Sequence, residues 1–226
     1  MKKPVVDYRQ LRLFKINGPQ FSHLKLLFGW VVYFALYFLT ENLIPEERCM
    51  PVSMWLDHLI PFCEWFVIPY VFWYGLIVIS LGYFLLYNVI SFRKLQIFIM
   101  ITQLVATAIY IVFPNRQDLR PDVFPRDNFL TQWVAMLYRV DTNTGVCPSL
   151  HVAISIGIIS VWIKEKEVSW LWKNFIFLSG ILICLSTMFI KQHSAVDFFV
   201  ALPVCLLAEG IVYGRDYWLP RFRRIV

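Results

Sequence analysis

Ser149-Leu150-His151-Val152-Ala153-Ile154-Ser155-Ile156-Gly157-Ile158-Ile159-Ser160-Val161-Trp162-Ile163 is a fifteen-residue run with no ionised side chain and a polar head, stopped by Lys164-Glu165-Lys166-Glu167. As a helix rising 1.5 Å per residue it is about 22 Å long, short of the roughly 30 Å hydrocarbon core of a bilayer. Anchored by its charged end, such a helix leaves Ser149 and His151 below the opposite surface, where a lipid headgroup lies. Forty residues on, Lys191-Gln192-His193-Ser194-Ala195-Val196-Asp197 heads another apolar run in the same way. Ionisable side chains at the edge of hydrocarbon are costly, so two such clusters point to function.

Composition agrees with a membrane setting. The chain has 226 residues, 59% hydrophobic and 18% aromatic, with mean hydropathy +0.61. Only 16% is charged, against about a quarter in soluble domains. The fold class expected is all-α, one integral membrane bundle. The basic N-terminal segment is too long for a signal peptide and no small-residue cleavage site follows it, so the first apolar run reads as a retained anchor. The five cysteines show no paired spacing; Cys63, Cys184 and Cys205 read as small hydrophobes, and a Cys49–Cys147 disulfide is one option on the outer side.

Six spans are expected, at 24–44, 62–87, 95–113, 149–163, 170–190 and 194–213. They form a domain over 24–213, between a basic N-terminal segment 1–23 and a basic tail 214–226. Pro69 is placed to kink the second span, and Arg93 and Lys94 mark a short loop before the third. The longest connection is 114–147. Within it Phe129, Trp133, Met136 and Leu137 fall near helical spacing, for a helix that lies on the membrane or packs on the bundle. An even number of spans puts both termini on one side. That side carries 15 of the 21 Lys and Arg, which places the termini in the cytoplasm, in a plasma or inner membrane, and the two histidine clusters on the outer face. The same bias accounts for the net charge of +6, so no nucleic-acid partner is needed.

His193 and Asp197 are four apart and share a helix face. A carboxylate on an imidazole fixes its tautomer and stabilises its cation. Ser149 suits a helix N-cap, and the free amides of the first turn, at Leu150 and His151, favour an anion such as phosphate. Arg120 and Lys191 add positive charge for phosphate oxygens. This set fits phosphoryl transfer. His193 attacks phosphorus, Asp197 holds its other nitrogen, and His151 protonates the leaving oxygen, with Arg120, Ser149, Leu150 and Lys191 as phosphate ligands. No cofactor is required. A zinc site from His151, His193 and Asp197 is the metal alternative, and the neighbouring cations oppose it. Asp118, Asp122 and Asp127 lack the spacing of a calcium loop.

These residues resemble the type 2 phosphatidic acid phosphatase superfamily, over roughly 95–213. Pro148-Ser149-Leu150-His151 is similar to its PSGH motif, with Leu for Gly. Ser186-Thr187, then five residues, then His193-Ser194-Ala195-Val196-Asp197 is similar to SRxxxxxHxxxD, with Thr for Arg. Arg120-Pro121 matches the end of KxxxxxxRP, whose lysine position holds Phe113. The departures resemble a sub-branch related to inositol phosphorylceramide synthase and sphingomyelin synthase. The resemblance implies His193 as nucleophile, Asp197 as its partner, His151 as acid and Arg120 as a phosphate ligand. It implies a lipid phosphate as substrate. The first expectation is a phosphatase acting on a phosphomonoester. The second is a headgroup transferase, and the third a non-catalytic lipid-binding or transport protein on the same scaffold.

Overall fold

The computed structural model describes residues 3–224. The outermost residues of both expected terminal segments, Lys2 among them, lie outside it. Among the described residues seven helices are longer than ten residues: α1 (Phe28–Leu43), α2 (Val67–Tyr87), α3 (Val89–Val112), α4 (Phe129–Val140), α5 (Leu150–Lys164), α6 (Trp170–Phe189) and α7 (Ala195–Tyr213). Two two-residue strands, β1 (Met50–Pro51) and β2 (Asn115–Arg116), pair in parallel. The segments containing α1, α2, α3, α6 and α7 are long and apolar enough to cross a membrane, and α5 is a shorter apolar helix. The chain is a helical membrane protein.

α5 is the axis of the bundle. Ten of its residues are buried, and it packs on α6, α3, α7 and α2. Lipid is as apolar as leucine, so helices in a membrane associate through close packing, which small residues permit. A Cβ on Gly157 would stand 2.5 Å from Phe98 of α3, and one on Gly180 of α6 would stand 2.5 Å from Ile159 of α5. Trp162 fills the far end of α5, its ring 4.5 Å from that of Phe84 at a tilt of 46°, and donates to Ser80 Oγ at 3.0 Å. By contrast α1 has no buried residue, and packs chiefly on α3.

The two ends of the bundle differ. One gathers the N-terminal segment, the α2–α3 turn, the α5–α6 loop and the C-terminus. There Val5 N–H donates to Leu86 O (2.8 Å), Asn88 Nδ2 to Glu165 Oε2 (2.7 Å), and Lys94 pairs with Asp216 (3.6 Å). The other end holds the strand pair, α4 and both histidine clusters.

Several boundaries depart from expectation. α3 begins at Val89, because Asn88 caps it by accepting from Ser91 N–H at 3.1 Å. Arg93 and Lys94 are therefore helical, not a loop. Pro69 is the third residue of α2, where a missing N–H removes no helix bond, so it gives no mid-span break. The tail does not leave the helix at residue 214: a π turn (Gly214–Trp218) and a last helical turn (Leu219–Phe222) continue α7. α4 packs on the bundle through Thr131 and Val134, with Trp133 and Leu137 beside them, while Phe129 and Met136 are exposed.

Candidate functional site

The start of α7 is tied down from three directions. Ser194 is its N-cap, in a reciprocal capping box with Asp197. Asp57 reaches in from the β1–α2 connection: Oδ1 accepts from Ala195 N–H at 2.7 Å and Oδ2 from Ser194 Oγ at 2.6 Å. The backbone N–H groups of Gln192 and His193 both donate to Thr187 O, at 3.0 and 2.9 Å. This fixes where His193 leaves the chain.

Asp197 Oδ2 accepts from Ser194 N–H and lies 3.0 Å from His193 Nδ1. Val146 O is 3.1 Å from the same nitrogen. Two acceptors face Nδ1, so Nδ1 carries the proton and Nε2 keeps its lone pair. Asp197 Oδ1 is buried, and the Cys147 thiol stands beside this carboxylate. Burial, with the negative charge of Asp197, pushes that thiol up to about 12. Cys147 and Cys49 are both free, so the disulfide option does not hold.

Val146 is placed by Asn115. Its Oδ1 accepts from the N–H groups of Val146 (2.9 Å) and Cys147 (2.8 Å), and its Nδ2 donates to Cys147 O and Phe113 O, both at 2.9 Å. Tyr110 O–H donates to Pro148 O at 2.6 Å, and Ser149 N–H to Asp197 O at 3.1 Å. Ser149 caps α5, accepting from Val152 N–H at 3.4 Å.

His151, in the first turn of α5, is held by rings. Its centroid lies 4.2 Å from Tyr70 and 4.0 Å from Trp73, at interplanar angles of 27° and 33°. Its Nε2 is buried with no hydrogen-bond partner among the described residues. The His151 and His193 centroids are 5.7 Å apart.

Both histidines line a cavity of about 540 Å³ in the gap between α1 and α2. Its walls include Trp30, Tyr33 and Tyr37 of α1 and Trp73, Tyr74 and Val78 of α2, with Asp141 at the polar end. Phe34 and Val78, at its rim, are exposed on the apolar flank. The cavity therefore meets the apolar flank of the bundle between α1 and α2.

No family model, curated protein or solved structure matches the chain.

The structure brings His151, His193, Asp197, Ser149 and Leu150 together, with Leu150 also lining the cavity. It does not bring the two expected cations to them. Lys191 turns away, its backbone at φ 57°, and Nζ donates to Asp57 O (2.8 Å) and Ile60 O (2.5 Å). Burial lowers the pKa of this ammonium, with Asp57 opposing the shift. Arg120 spends Nη1 on Tyr138 O (3.1 Å) and Nη2 on Asp141 O (2.6 Å) and Gln192 Oε1 (2.9 Å), and lies over the Tyr138 ring. Both serve as anchors for the loops that bound the site, and neither lines the cavity. The terminal nitrogens of both cations are bonded chiefly to backbone carbonyls of these loops. Sequence reasoning missed Asn115, Asp57 and Asp141, polar loop residues whose partners lie far along the chain.

Proposed function

We propose that the chain is a six-span membrane phosphotransferase of the type 2 phosphatidic acid phosphatase kind, which moves a phospho-headgroup from one lipid to another through His193. The observation that carries this reading is His193 Nδ1 held between Asp197 Oδ2 and Val146 O, 5.7 Å from a second histidine, on the wall of a laterally open cavity. His193 Nε2 attacks phosphorus of a lipid phosphodiester, and the bond to the lipid alkoxide breaks. His151, which takes up a proton as the anionic diester binds, gives that proton to this oxygen. An acceptor alcohol then loses its proton to His151 as its oxygen attacks the phosphohistidine, which restores both residues.

Transfer is preferred to monoester hydrolysis because a phosphomonoester is a dianion and, among the described residues, no Lys or Arg lines the cavity, whereas a diester carries one charge. Asp197, through Nδ1, offsets the positive charge that grows on His193. α5 serves as the short span, with both termini at the Lys- and Arg-rich end and the site at the opposite, outer face.

Purified protein is given phosphatidic acid alone, then a phosphodiester lipid with diacylglycerol or ceramide. The reading predicts a new phospholipid that depends on the acceptor. Inorganic phosphate released from phosphatidic acid, with no new lipid from the diester, supports the phosphatase instead.

A further inference from the structure

The histidine cavity lies between α1 and α2; a second cavity, of about 220 Å³, lies between α1 and α3. There a Cβ on Gly29 would stand 2.9 Å from the Met100 side chain, and Lys25, Tyr33, Gln103 and Thr107 line the same space. Gln103 is 3% exposed, and its Nε2 has no hydrogen-bond partner among the described residues. Gln96, two turns earlier on α3, also has an unpartnered Nε2, but its Oε1 accepts from Trp30 Nε1 at 3.1 Å and it does not line this cavity. Lys25 stands in the short helix before α1 (Ser22–Leu27), exposed, and no ion pair among the described residues uses it. Phe28 and Val32, at the rim, are exposed on the apolar flank. Tyr33 lines the histidine cavity as well, so α1 is a wall common to both.

In hydrocarbon a lone amide N–H has no water to turn to, so an acceptor oxygen brought by a bound molecule gains a hydrogen bond at little cost. A free ammonium at the Lys- and Arg-rich end of the bundle favours a negative group. Gln103 lies about one turn above the Gly29–Met100 contact and Lys25 about one turn below it. That is a separation of roughly 10 Å, part of which the lysine stem spans. A glycerophospholipid presents its groups in this order: an anion, ester carbonyls one glycerol unit deeper, then the chains. We infer that the α1–α3 cavity binds an anionic glycerophospholipid, with its phosphate at Lys25, an ester carbonyl accepting from Gln103 Nε2 and a chain along Leu36 and Leu104. Such a lipid braces α1, which buries no residue of its own. The site is separate from the chemistry proposed for His193 and does not depend on it.

The test is native mass spectrometry of the purified full chain in detergent, titrated with three probes: dioleoyl phosphatidylglycerol, its dialkyl ether analogue and dioleoyl phosphatidylcholine. The ester phosphatidylglycerol should bind about fivefold more tightly than the ether, which lacks the carbonyls, and about fivefold more tightly than the zwitterionic lipid. Gln103→Leu should abolish the ester preference and keep the anionic one, and Lys25→Gln should do the reverse. The preference each variant keeps also shows that it folds. Phosphatidylglycerol with a diazirine in one chain should crosslink within 25–36 and 100–107, in His193→Ala as in the wild type. Equal affinity for ester and ether lipids, an ester preference that survives Gln103→Leu, or crosslinks confined to α2 overturns the site. A dimer that carries no lipid would give the α1–α3 seam to a second copy and overturn it as well.

Discussion

His193 and His151 sit 5.7 Å apart and are held by opposite means. His193 has its Nδ1 between two oxygens, and everything that places those oxygens is itself hydrogen-bonded: Asp197 by Ser194 N–H, Val146 by Asn115. His151 is fixed in space by two aromatic faces and has a buried nitrogen with no hydrogen-bond partner among the described residues. Hydrogen bonds fix a tautomer and a direction; stacking fixes a position and leaves the proton free to move. A nucleophile that attacks along one line needs the first, and a group that gives up and regains a proton needs the second.

Removing the proposed nucleophile breaks this contrast most completely. His193→Ala should lose all measurable turnover with lipid and with a soluble nitrophenyl phosphodiester, read as nitrophenol release. Near wild-type release from the variant would end the phosphohistidine scheme. Asp197→Asn leaves a neutral partner at Nδ1 and should cost roughly 10²–10⁴-fold in kcat with KM little changed. A loss confined to KM would make Asp197 a folding residue only. His151→Ala should slow lipid turnover about 10²-fold or more and spare nitrophenyl substrates, whose leaving group needs no proton. Equal losses on both would remove its role as acid.

Two further changes sharpen the comparison without touching either ring. Asn115→Ala leaves the buried N–H groups of Val146 and Cys147 without an acceptor, which should cost about 2–4 kcal/mol of stability, seen as a fall in Tm. The turnover that remains should also fall about tenfold, because Val146 O is no longer held against His193. Tyr70→Phe keeps the stack on His151 and drops the bond to Asp141, so turnover should fall fivefold or less. Tyr70→Leu, which removes the stack, should do more.

What was legible in the sequence was local. The four-residue spacing of His193 and Asp197, Ser149 as the start of a helix, and the apolar runs all report contacts within one or two turns. α4 was legible by its spacing, though Thr131 and Val134 rather than Phe129 and Met136 face the bundle. The start of α3 was misread because charge was taken for a loop signal. Arg93 in fact reaches Ser22 Oγ at 3.1 Å, and Lys94 lies over Tyr213 beside Asp216. Asn115 and Asp57 were illegible for a different reason. They act on residues 31 and 138 positions away, and a polar loop residue looks the same in sequence whether or not it meets such a partner. The carbonyl partners of Arg120 and Lys191 were illegible in the same way, because Tyr138, Asp141, Asp57 and Ile60 lie far from them in sequence.

The measurement that bears most directly on the central claim is the site of phosphorylation itself. Protein is mixed with a nitrophenyl phosphodiester without acceptor, quenched in base to preserve acid-labile P–N bonds, and digested for mass spectrometry. We expect one phosphodiester adduct, on His193 at Nε2, because Nδ1 is occupied by Asp197 and Val146. The adduct should be absent from His193→Ala and retained in His151→Ala. An adduct on His151, or steady turnover with none on His193, would contradict the account.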